Sequence, residues 1–243
     1  MRKNNNIMKN FQKAMYWGSR PIVGTYASAM LDMNVRMHEQ FGKGAKIIAV
    51  NHPSTTDPFY VAAIMRQQVY ILIKDILFQV PILGEYLRRS GHIPVKAGEG
   101  ESALQAALER LKSGDTVVIF PEGVISPLEG GFHRARSGVA RLALMSGAPV
   151  IPIGIHLLRE RIRSIRSTVK GVQEYGYWYI RGPYYVTVGR AMRFSGDVED
   201  QPRVRIVADR IMQRIIALAR ESETRHNQTL EPLGSALDAP TIV

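Results

Sequence analysis

Residues 46–58 read KIIAVNHPSTTDP and combine a strand signal, a turn and the start of a helix. The run Lys46–Val50 is apolar and rich in β-branched side chains, which predicts a strand buried on both faces of a sheet. Asn51-His52-Pro53 ends that run, and residues 58–67 are predicted to form a helix. A buried strand followed directly by a helix is typical of an α/β protein.

The rest of the chain continues this alternation of strands and helices. Further strands are predicted at residues 69–73, 116–120, 150–155 and 184–188, a short strand or turn at 91–95, and helices at 99–112, 137–146 and 202–220. This order predicts an α/β fold with a mixed, mostly parallel sheet flanked by helices. We expect one α/β domain over residues 45–220 and a loosely ordered tail over residues 221–243.

Residues 1–44 show the spacing of an amphipathic helical hairpin. Apolar side chains recur at helical intervals on both sides of a break at residues 18–21, so two helices are predicted. Basic and aromatic side chains around the break are expected to hold this segment on a membrane surface: Lys9, Phe11, Lys13, Trp17 and Arg20. A hairpin that simply packs on the core is the alternative.

Composition limits the class of protein. The 243 residues include 32 Lys and Arg against 21 Asp and Glu, a net charge of +11, in an otherwise ordinary globular composition. Such a charge predicts a polyanionic partner, which could be nucleic acid, an anionic membrane or a phosphorylated substrate. The absence of cysteine excludes disulfide bonds, zinc–thiolate sites and a thiol nucleophile.

The sequence predicts neither a membrane-spanning helix nor a secretory signal. The longest stretch without a charged side chain, Leu142 to Leu158, contains two glycines and two prolines, which excludes a spanning helix there. The N-terminus is basic but lacks a cleavage site after an apolar core. We therefore expect a cytoplasmic chain.

An imidazole and a carboxylate, His52 and Asp57, stand five positions apart at the end of the first buried strand. Active sites of α/β sheets lie at the carboxyl ends of strands. If Asp57 folds back to the ring of His52, it fixes the tautomer and stabilises the protonated imidazole, so the other ring nitrogen can accept a proton. The alternative is that Asp57 only caps the next helix and His52 only bonds locally.

Further motifs follow in a fixed order along the chain. They are KDILFQVPILG at residues 74–84, GHIPVK at 91–96, FPEG at 120–123, FHRARSG at 132–138 and PVIPI at 149–153. Together with NHPSTTD at residues 51–57, they resemble the glycerolipid acyltransferase family, whose members include the 1-acylglycerol-3-phosphate acyltransferases. The resemblance extends over residues 46–189.

The resemblance implies transfer of a fatty acyl group from an acyl thioester, either acyl-coenzyme A or acyl carrier protein, to a hydroxyl of a lysophospholipid. The expected acceptor is 1-acylglycerol-3-phosphate, and His52 is then the general base, positioned by Asp57. The chain has no Cys and no Gly-x-Ser-x-Gly motif, so direct transfer in a ternary complex is simpler than a covalent intermediate. No cofactor is implied, and the other histidines lack the spacing of metal ligands.

Glu122 and Gly123 are predicted to bind substrate, and several cations could meet a phosphate: Lys74, Lys96, Arg134, Arg136 and Arg159. For the basic run that begins at Arg159, a solvated surface is the alternative. Glu122 is expected to bind or position the acceptor, with a surface turn carboxylate as the alternative. The family commonly has arginine where this chain has Ile125 and Lys96. Because these changes remove planar groups suited to phosphate, a lysoglycolipid or an amino-acid-derived lysolipid is the alternative acceptor.

A lipid acceptor predicts a monotopic protein on the cytoplasmic face of the cell membrane, in contact with anionic lipids. A basic nucleic-acid-binding module is a distant alternative, because no aromatic side chains interleave with the arginines at residues 159–166 and no nucleic-acid motif is present. A non-catalytic lipid-binding member of the family is another, and the presence of His52, Asp57 and Glu122 argues against it.

Overall fold

A computed structural model describes residues 16–18, 21–40 and 42–235, with side chains described as far as residue 230. The helices are α1 (residues 21–30), α2 (Asp57–Ile64), α3 (Leu83–Arg89), α4 (Gly100–Lys112), α5 (Gly138–Ser146) and α6 (Gln201–Ser235), with short 3-10 turns at Asp75–Gln79 and Arg159–Arg161. The strands are β1 (Leu31–Met37), β2 (Lys46–Val50), β3 (Val69–Lys74), β4 (Ile93–Val95), β5 (Thr116–Ile119), β6 (Val150–Leu157), β7 (Ile162–Val169), β8 (Val172–Tyr179) and β9 (Gly182–Val188).

Seven of these strands form one sheet in the order β1-β9-β6-β2-β5-β3-β4. The central strand β2 pairs in parallel with β5 and β6, and β3 and β4 continue the parallel arrangement. On the other side, β9 is antiparallel to β6, and β1 is parallel to β9. The mixed, mostly parallel sheet predicted from the sequence is therefore confirmed.

Helices cover both faces of the sheet. On one face α4, α5 and α6 form a hydrophobic layer that includes Ala107, Val139 and Ile211. On the other face α1 and α2 form a second layer that includes Ala27 and Val61. All five residues of β2 are buried, as expected for a parallel strand between two helical layers.

One edge of the sheet collects the polar turns. The parallel strands β2, β5, β3 and β6 all end there, so the turns that follow β2 and β5 are neighbours. Because β9 is antiparallel to β6, its first residues lie at the same edge, where Tyr184 pairs with Leu157. This edge carries His52 after β2 and the FPEG turn after β5.

The structure corrects the predicted second N-terminal helix. That helix ends at residue 30, and the residues that follow form β1, which joins the sheet beside β9. The first predicted helix is described only over residues 16–18, which are helical. Within the described ranges, no helix combines the length and apolarity needed to cross a bilayer.

The C-terminal segment is also corrected. The helix predicted to end at Arg220 continues to Ser235, and Ser222 and His226 on this extension are buried. The expectation of a loosely ordered tail is therefore wrong over residues 221–235, and residues 236–243 lie outside the described part.

A two-stranded hairpin, β7–β8, was not predicted. Its strands are antiparallel and are joined by Lys170 and Gly171, which both have positive φ (48° and 82°), as in the tight turns that suit twisted hairpins. The amide of Thr55 donates to the carbonyl of Tyr177 (2.7 Å), and the amide of Tyr177 donates to Oγ1 of Thr55 (2.8 Å). The hairpin is thus attached to the turn that carries His52.

Candidate active site

Asn51 fixes the end of β2 in place. Its side chain donates to the carbonyl of Ile155 (2.9 Å) and accepts from the amide of the same residue (2.7 Å). Asn51 is buried, and its two hydrogen bonds satisfy the backbone groups of Ile155 beyond the end of β2. They take the place of the backbone hydrogen bonds that join β2 to β6. The turn that begins at His52 therefore starts from a fixed point over the sheet.

His52 and Asp57 are in contact. Nδ1 of His52 lies 3.1 Å from Oδ2 of Asp57, whose carboxylate is completely buried. Oδ2 also accepts from the amide of Ser54 (2.7 Å), and Oδ1 accepts from the hydroxyls of Ser54 (2.6 Å) and Tyr184 (2.9 Å). The hydrogen bonds from these donors offset the free-energy cost of removing the Asp57 carboxylate from water.

The donors to Asp57 also decide between its two predicted roles. None of them is an amide of α2, because Ser54 precedes the helix and Tyr184 lies on β9. Asp57 therefore holds the turn and the imidazole rather than capping the helix. Burial and the negative charge of Asp57 raise the pKa of Tyr184 well above its usual value, so the phenol remains a donor.

The ring of His52 is held on a second side by Phe120. The two rings are stacked, with centroids 4.1 Å apart and an angle of 26° between their planes. The His52 side chain is 18% exposed, and within the described chain its Nε2 takes part in no hydrogen bond. With Nδ1 donating to Asp57, Nε2 carries the lone pair and can act as a base.

Glu122 lies beneath the same turn. Its Oε1 accepts from the amide of His52 (3.1 Å) and from the hydroxyl of Ser126 (2.7 Å), and its Oε2 accepts from the amide of His133 (2.7 Å). The side chain is buried, so the alternative of a surface turn carboxylate is wrong. Glu122 joins the turns after β2 and β5 to the loop that leads into α5.

Gly123 adopts a conformation that favours glycine, with φ of +71°. A Cβ at this position would lie 2.6 Å from Nε of Arg136, so the Arg136 side chain lies directly against the turn. The amide of Arg136 also donates to the carbonyl of Pro121 (2.8 Å). Arg136 is therefore a cation of the FPEG turn, which the sequence suggested only as one of several possible cations.

Arg159 approaches the site from the end of β6. Its guanidinium donates to the carbonyls of Pro127 and Gly131, which closes the loop after the FPEG turn. Burial lowers the pKa of Arg159, while the charges of Glu122 and Asp57 act in the opposite direction. A guanidinium stays charged in spite of such a shift, so Arg159 places a cation near both carboxylates.

The other predicted cations form ion pairs with acidic side chains other than Asp57 and Glu122. Lys74 forms an ion pair with Glu174 of β8 (2.7 Å), which attaches the hairpin to the end of β3. Lys96 pairs with Glu99 (3.2 Å) and Arg134 with Asp209 (3.4 Å). All three cations are exposed, and their role in substrate binding stays a prediction.

Of the predicted membrane-binding residues, only Trp17 is described. Its ring meets that of Tyr16 edge to face, with centroids 5.6 Å apart, and its side chain is partly exposed. The remaining four, Lys9, Phe11, Lys13 and Arg20, lie outside the described residues.

An apolar cavity opens beside the site, on the α2 face of the sheet. The space in it that is available to the centre of a water molecule is about 70 Å³, and its walls include Thr55, Pro58, Phe59, Ile71, Leu83 and Trp178. Thr55 and Pro58 flank Asp57 in sequence, so the cavity extends to the turn that carries the acid–base pair. Elsewhere in the described structure, no cluster of three or more His, Asp or Glu side chains has the geometry of a metal site.

Sequence reasoning missed three residues of the site. Ser54 was part of the quoted motif, and its position between His52 and Asp57 was the only local signal for it. Ser126 lies four residues after Glu122, and its amide donates to the carbonyl of His52 (2.8 Å). Tyr184 is 127 residues from Asp57, and no local pattern could have connected the two.

The fold and the site together define a class: an α/β protein with a histidine–aspartate pair at the carboxyl end of a central parallel strand, next to an apolar cavity. Comparison with known proteins gives the family. The sequence profile of the Acyltransferase family matches residues 32–156, a little over half of the chain, and the chain belongs to that family.

Two bacterial relatives align with part of this chain. The chain is 27% identical over 151 residues to a 1-acyl-sn-glycerol-3-phosphate acyltransferase of Pseudomonas aeruginosa (60% of this chain, 56% of the relative). It is 29% identical over 153 residues to the protein of the same name from Helicobacter pylori (62% and 56%). The match thus spans just over half the length of these curated relatives.

A solved structure shares the fold. It is the 1-acyl-sn-glycerophosphate (LPA) acyltransferase PlsC from Thermotoga maritima, with a TM-score of 0.60 and 20% sequence identity over 93% of this chain and 84% of that one. This likeness supports the mixed α/β architecture.

Proposed function

We propose that the protein is an O-acyltransferase that moves a fatty acyl group from an acyl thioester to a hydroxyl of a lysophospholipid. The observation that carries the proposal is the contact between His52 and the buried carboxylate of Asp57, with Nε2 of His52 left to accept a proton. Family membership and the names of the relatives support 1-acylglycerol-3-phosphate as the acceptor and phosphatidic acid as the product.

The proposed reaction uses the contact between His52 and Asp57. Nε2 of His52 removes the proton of the acceptor hydroxyl while its oxygen attacks the thioester carbonyl, and Asp57 stabilises the imidazolium that forms. The tetrahedral intermediate then collapses, the carbon–sulfur bond breaks, and the thiolate takes the proton from His52. A positioned base contributes about 10²–10⁴-fold to such a rate, and holding the two substrates together supplies much of the rest.

The cavity supports a fatty acyl donor. Its lining is mainly aliphatic and aromatic, and burial of an acyl chain there would be favourable by about 0.8 kcal/mol for each methylene group. Because the cavity reaches Thr55 and Pro58, a chain bound in it would leave its thioester near His52. Acyl-coenzyme A and acyl carrier protein both present such a group.

Recognition of the acceptor headgroup would fall to the cations of the FPEG turn. The charge of Glu122 acts on the guanidinium of Arg159, and the Arg136 side chain lies against Gly123. Where the family commonly has arginine, the chain has Ile125, and the adjacent Val124 is exposed. This apolar surface favours a second candidate: the same chemistry on a lysoglycolipid or an amino-acid-derived lysolipid.

An acceptor panel separates the two candidates. With one labelled acyl-coenzyme A as donor, we expect the highest kcat/KM with 1-acylglycerol-3-phosphate. A higher value for a lysoglycolipid or an amino-acid-derived lysolipid would assign the alternative acceptor. Lysophosphatidylglycerol serves as the comparison that keeps a phosphate but changes its substituent.

A membrane location follows from the substrates, since lysolipid and product both reside in the bilayer. We propose peripheral attachment at the cytoplasmic face, through the basic N-terminal segment and its apolar side chains. Each Lys or Arg near an anionic leaflet contributes about 1 kcal/mol, and the first 20 residues contain five of them.

Replacement of the base tests the chemistry. We expect His52→Ala to lower kcat/KM by about 10²–10⁴-fold, because it removes the base while Asp57 keeps its other donors. The control is His38→Ala, whose imidazole pairs with Glu221 on α6, away from the site. Near-normal turnover by purified, folded His52→Ala would rule out the proposed role.

A further inference from the structure

Ile82 combines backbone strain with exposure of an apolar side chain. Its φ and ψ are +65° and −57°, and the amide of Leu83 donates to the carbonyl of Pro81 (2.7 Å). This is a γ-turn of the rare, strained positive-φ form. A β-branched residue in this region is a genuine outlier, and the Ile82 side chain is 89% exposed.

The packing around the turn explains how the strain is maintained. The amide of Gly84 donates to the carbonyl of Val80 (2.7 Å), and a Cβ at Gly84 would lie 2.0 Å from the carbonyl oxygen of Phe78. The start of α3 is therefore clamped against the 3-10 turn at Asp75–Gln79. The consequence is that Ile82 stands at the tip of a rigid loop rather than packing inward.

The loop borders the apolar cavity, and so does the N-terminal segment. Leu83, Tyr16 and Val23 all line the cavity. The sequence neighbours Ile82, Trp17 and Ile22 are exposed by 89%, 41% and 74%. Two segments about sixty residues apart in sequence thus present large apolar side chains beside one apolar opening.

The surface of α1 indicates what covers this region. Its sequence, PIVGTYASAM, contains no charged residue, although six of its ten residues are exposed. A helix exposed to water usually has charged and polar side chains on its outer face. An uncharged, partly apolar helix next to a basic N-terminal sequence, with an aromatic residue between them, matches an interface with lipid headgroups and acyl chains.

We infer that the turn at Ile82 inserts into the bilayer as a second membrane contact, so that the mouth of the cavity opens into the lipid. The inference depends on the membrane attachment proposed above and adds to it a site on the α/β domain itself. With the mouth in lipid, an acyl chain reaches the cavity from the bilayer without crossing water.

The absence of cysteine permits a direct test with one label. Ile82→Cys carries an environment-sensitive fluorophore, and the control Ile206→Cys carries it on α6, on the opposite face of the sheet, where Ile206 is also exposed. On vesicles of phosphatidylcholine and phosphatidylglycerol, we expect a blue shift at position 82, and quenching there by lipids with a spin label on the acyl chain. Position 206 should show neither.

A partition measurement provides the second test. We expect Ile82→Ser to lower vesicle partition by about 10-fold, because the inserted apolar surface is lost, while Ile206→Ser leaves it unchanged. Ile82→Gly should lower partition similarly without loss of thermal stability, since glycine adopts positive φ freely. Ile82→Gly is therefore the variant in which we expect the fold to be kept and only the membrane contact to be lost.

The outcomes separate the two proposals. Failure of the unsubstituted chain to bind these vesicles would refute membrane attachment as a whole, and the acyl-transfer assay with dispersed substrate would still test the chemistry. If the labelled chain binds the vesicles but the label at position 82 is as exposed to water as the label at position 206, only the inference about Ile82 is overturned.

Discussion

At the scale of single residues, two buried carboxylates hold His52 from different sides. Asp57 accepts from the imidazole and Glu122 accepts from the backbone amide. A buried carboxylate is costly unless donors surround it, and both of these have several. Asp57 therefore fixes the ring, while Glu122 fixes the turn that carries the ring.

Glu122→Gln tests this second role. A glutamine side chain has one acceptor oxygen, so its amide group would face one of the donors from His52, Ser126 or His133. We expect the free energy of unfolding to fall by about 1–3 kcal/mol and kcat/KM to fall with it. Glu129→Gln, in the same loop but exposed, should change neither. Unchanged stability of Glu122→Gln in chemical denaturation would contradict the positioning role.

His92 predicts a specific loss of stability in acid. Its buried Nδ1 accepts from the amide of Ile71 (3.2 Å), and burial, with a smaller effect of the Arg110 charge, lowers the pKa of His92 to about 4. The unfolded chain has the ordinary value of about 6.5 and binds the proton first, so this contribution is complete above pH 6.5 and is lost as the pH falls toward 4.

The test is His92→Asn, which keeps an acceptor for Ile71 but does not titrate. We expect it to remove up to about 3 kcal/mol of the acid-dependent loss in the free energy of unfolding between pH 6.5 and pH 4. Equal acid dependence in His92→Asn and the original chain would show that folding does not lower the pKa of His92.

At this scale the sequence predicts contacts that are local and misses those that are not. His52 and Asp57 lie in one turn of six residues, so the chain itself brings them together. Tyr184 reaches Asp57 only because β9 runs antiparallel to β6 at the same edge of the sheet. The pairing of strands, rather than any local spacing, completes the site.

At the scale of elements, errors arose where one pattern fits two structures. Met33 and Met37 are four residues apart, which suits one face of a helix but also suits one face of a strand, where every second residue is equivalent. In the structure this segment forms the strand β1, which pairs with β9. The β7–β8 hairpin was missed because the basic run from Arg159 was considered only for its charge, and the Lys170–Gly171 turn gave only a weak hairpin signal.

The contact of α6 with β6 is the element-scale feature that we expect to be most sensitive to mutation. A Cβ at Gly154 on β6 would lie 2.0 Å from the backbone nitrogen of Ala219, so helix and strand touch there without a side chain between them. We expect Gly154→Ala to force the helix away and to lower the free energy of unfolding by about 3 kcal/mol.

Gly138→Ala is the matched control for Gly154→Ala. A Cβ at Gly138 would lie 3.7 Å from the Leu104 side chain and 3.8 Å from that of Ile119, which are ordinary contacts. Since Gly138 begins α5, alanine should stabilise the chain by about 0.5–1 kcal/mol. Thermal denaturation of both variants would show opposite shifts, and a neutral Gly154→Ala would contradict the close packing.

At the scale of the whole molecule, the extension of α6 contacts the edge of the sheet that β1 and β9 form. Glu221 lies 2.8 Å from Nε2 of His38, just after β1, and Arg225 donates to the carbonyl of Val186 (2.8 Å) on β9. These contacts hold the edge of the sheet formed by β1 and β9, next to the segment that we propose binds the membrane. The last helix therefore supports the β1–β9 edge of the sheet as well as the core.

Truncation after Arg220 tests this support. It removes Ser222, whose hydroxyl donates to the carbonyl of Gly154 (3.1 Å) and lies 2.7 Å from Oγ1 of Thr187. Both partners are buried, and a buried polar group left without a partner costs about 1–3 kcal/mol. We therefore expect the truncated chain to lose at least about 3 kcal/mol in the free energy of unfolding, because the apolar and polar contacts of His226 are lost with it.

A chain that ends at Leu230 is the control, since it retains Ser222, Arg225 and His226 with all the contacts described for them. We expect its free energy of unfolding to stay within about 0.5 kcal/mol of the full chain. If the chain ending at Arg220 were equally stable, the extension of α6 would contribute nothing to the sheet. If only that shorter chain lost stability, residues 221–230 would be part of the folded domain, where the sequence alone indicated a loose tail.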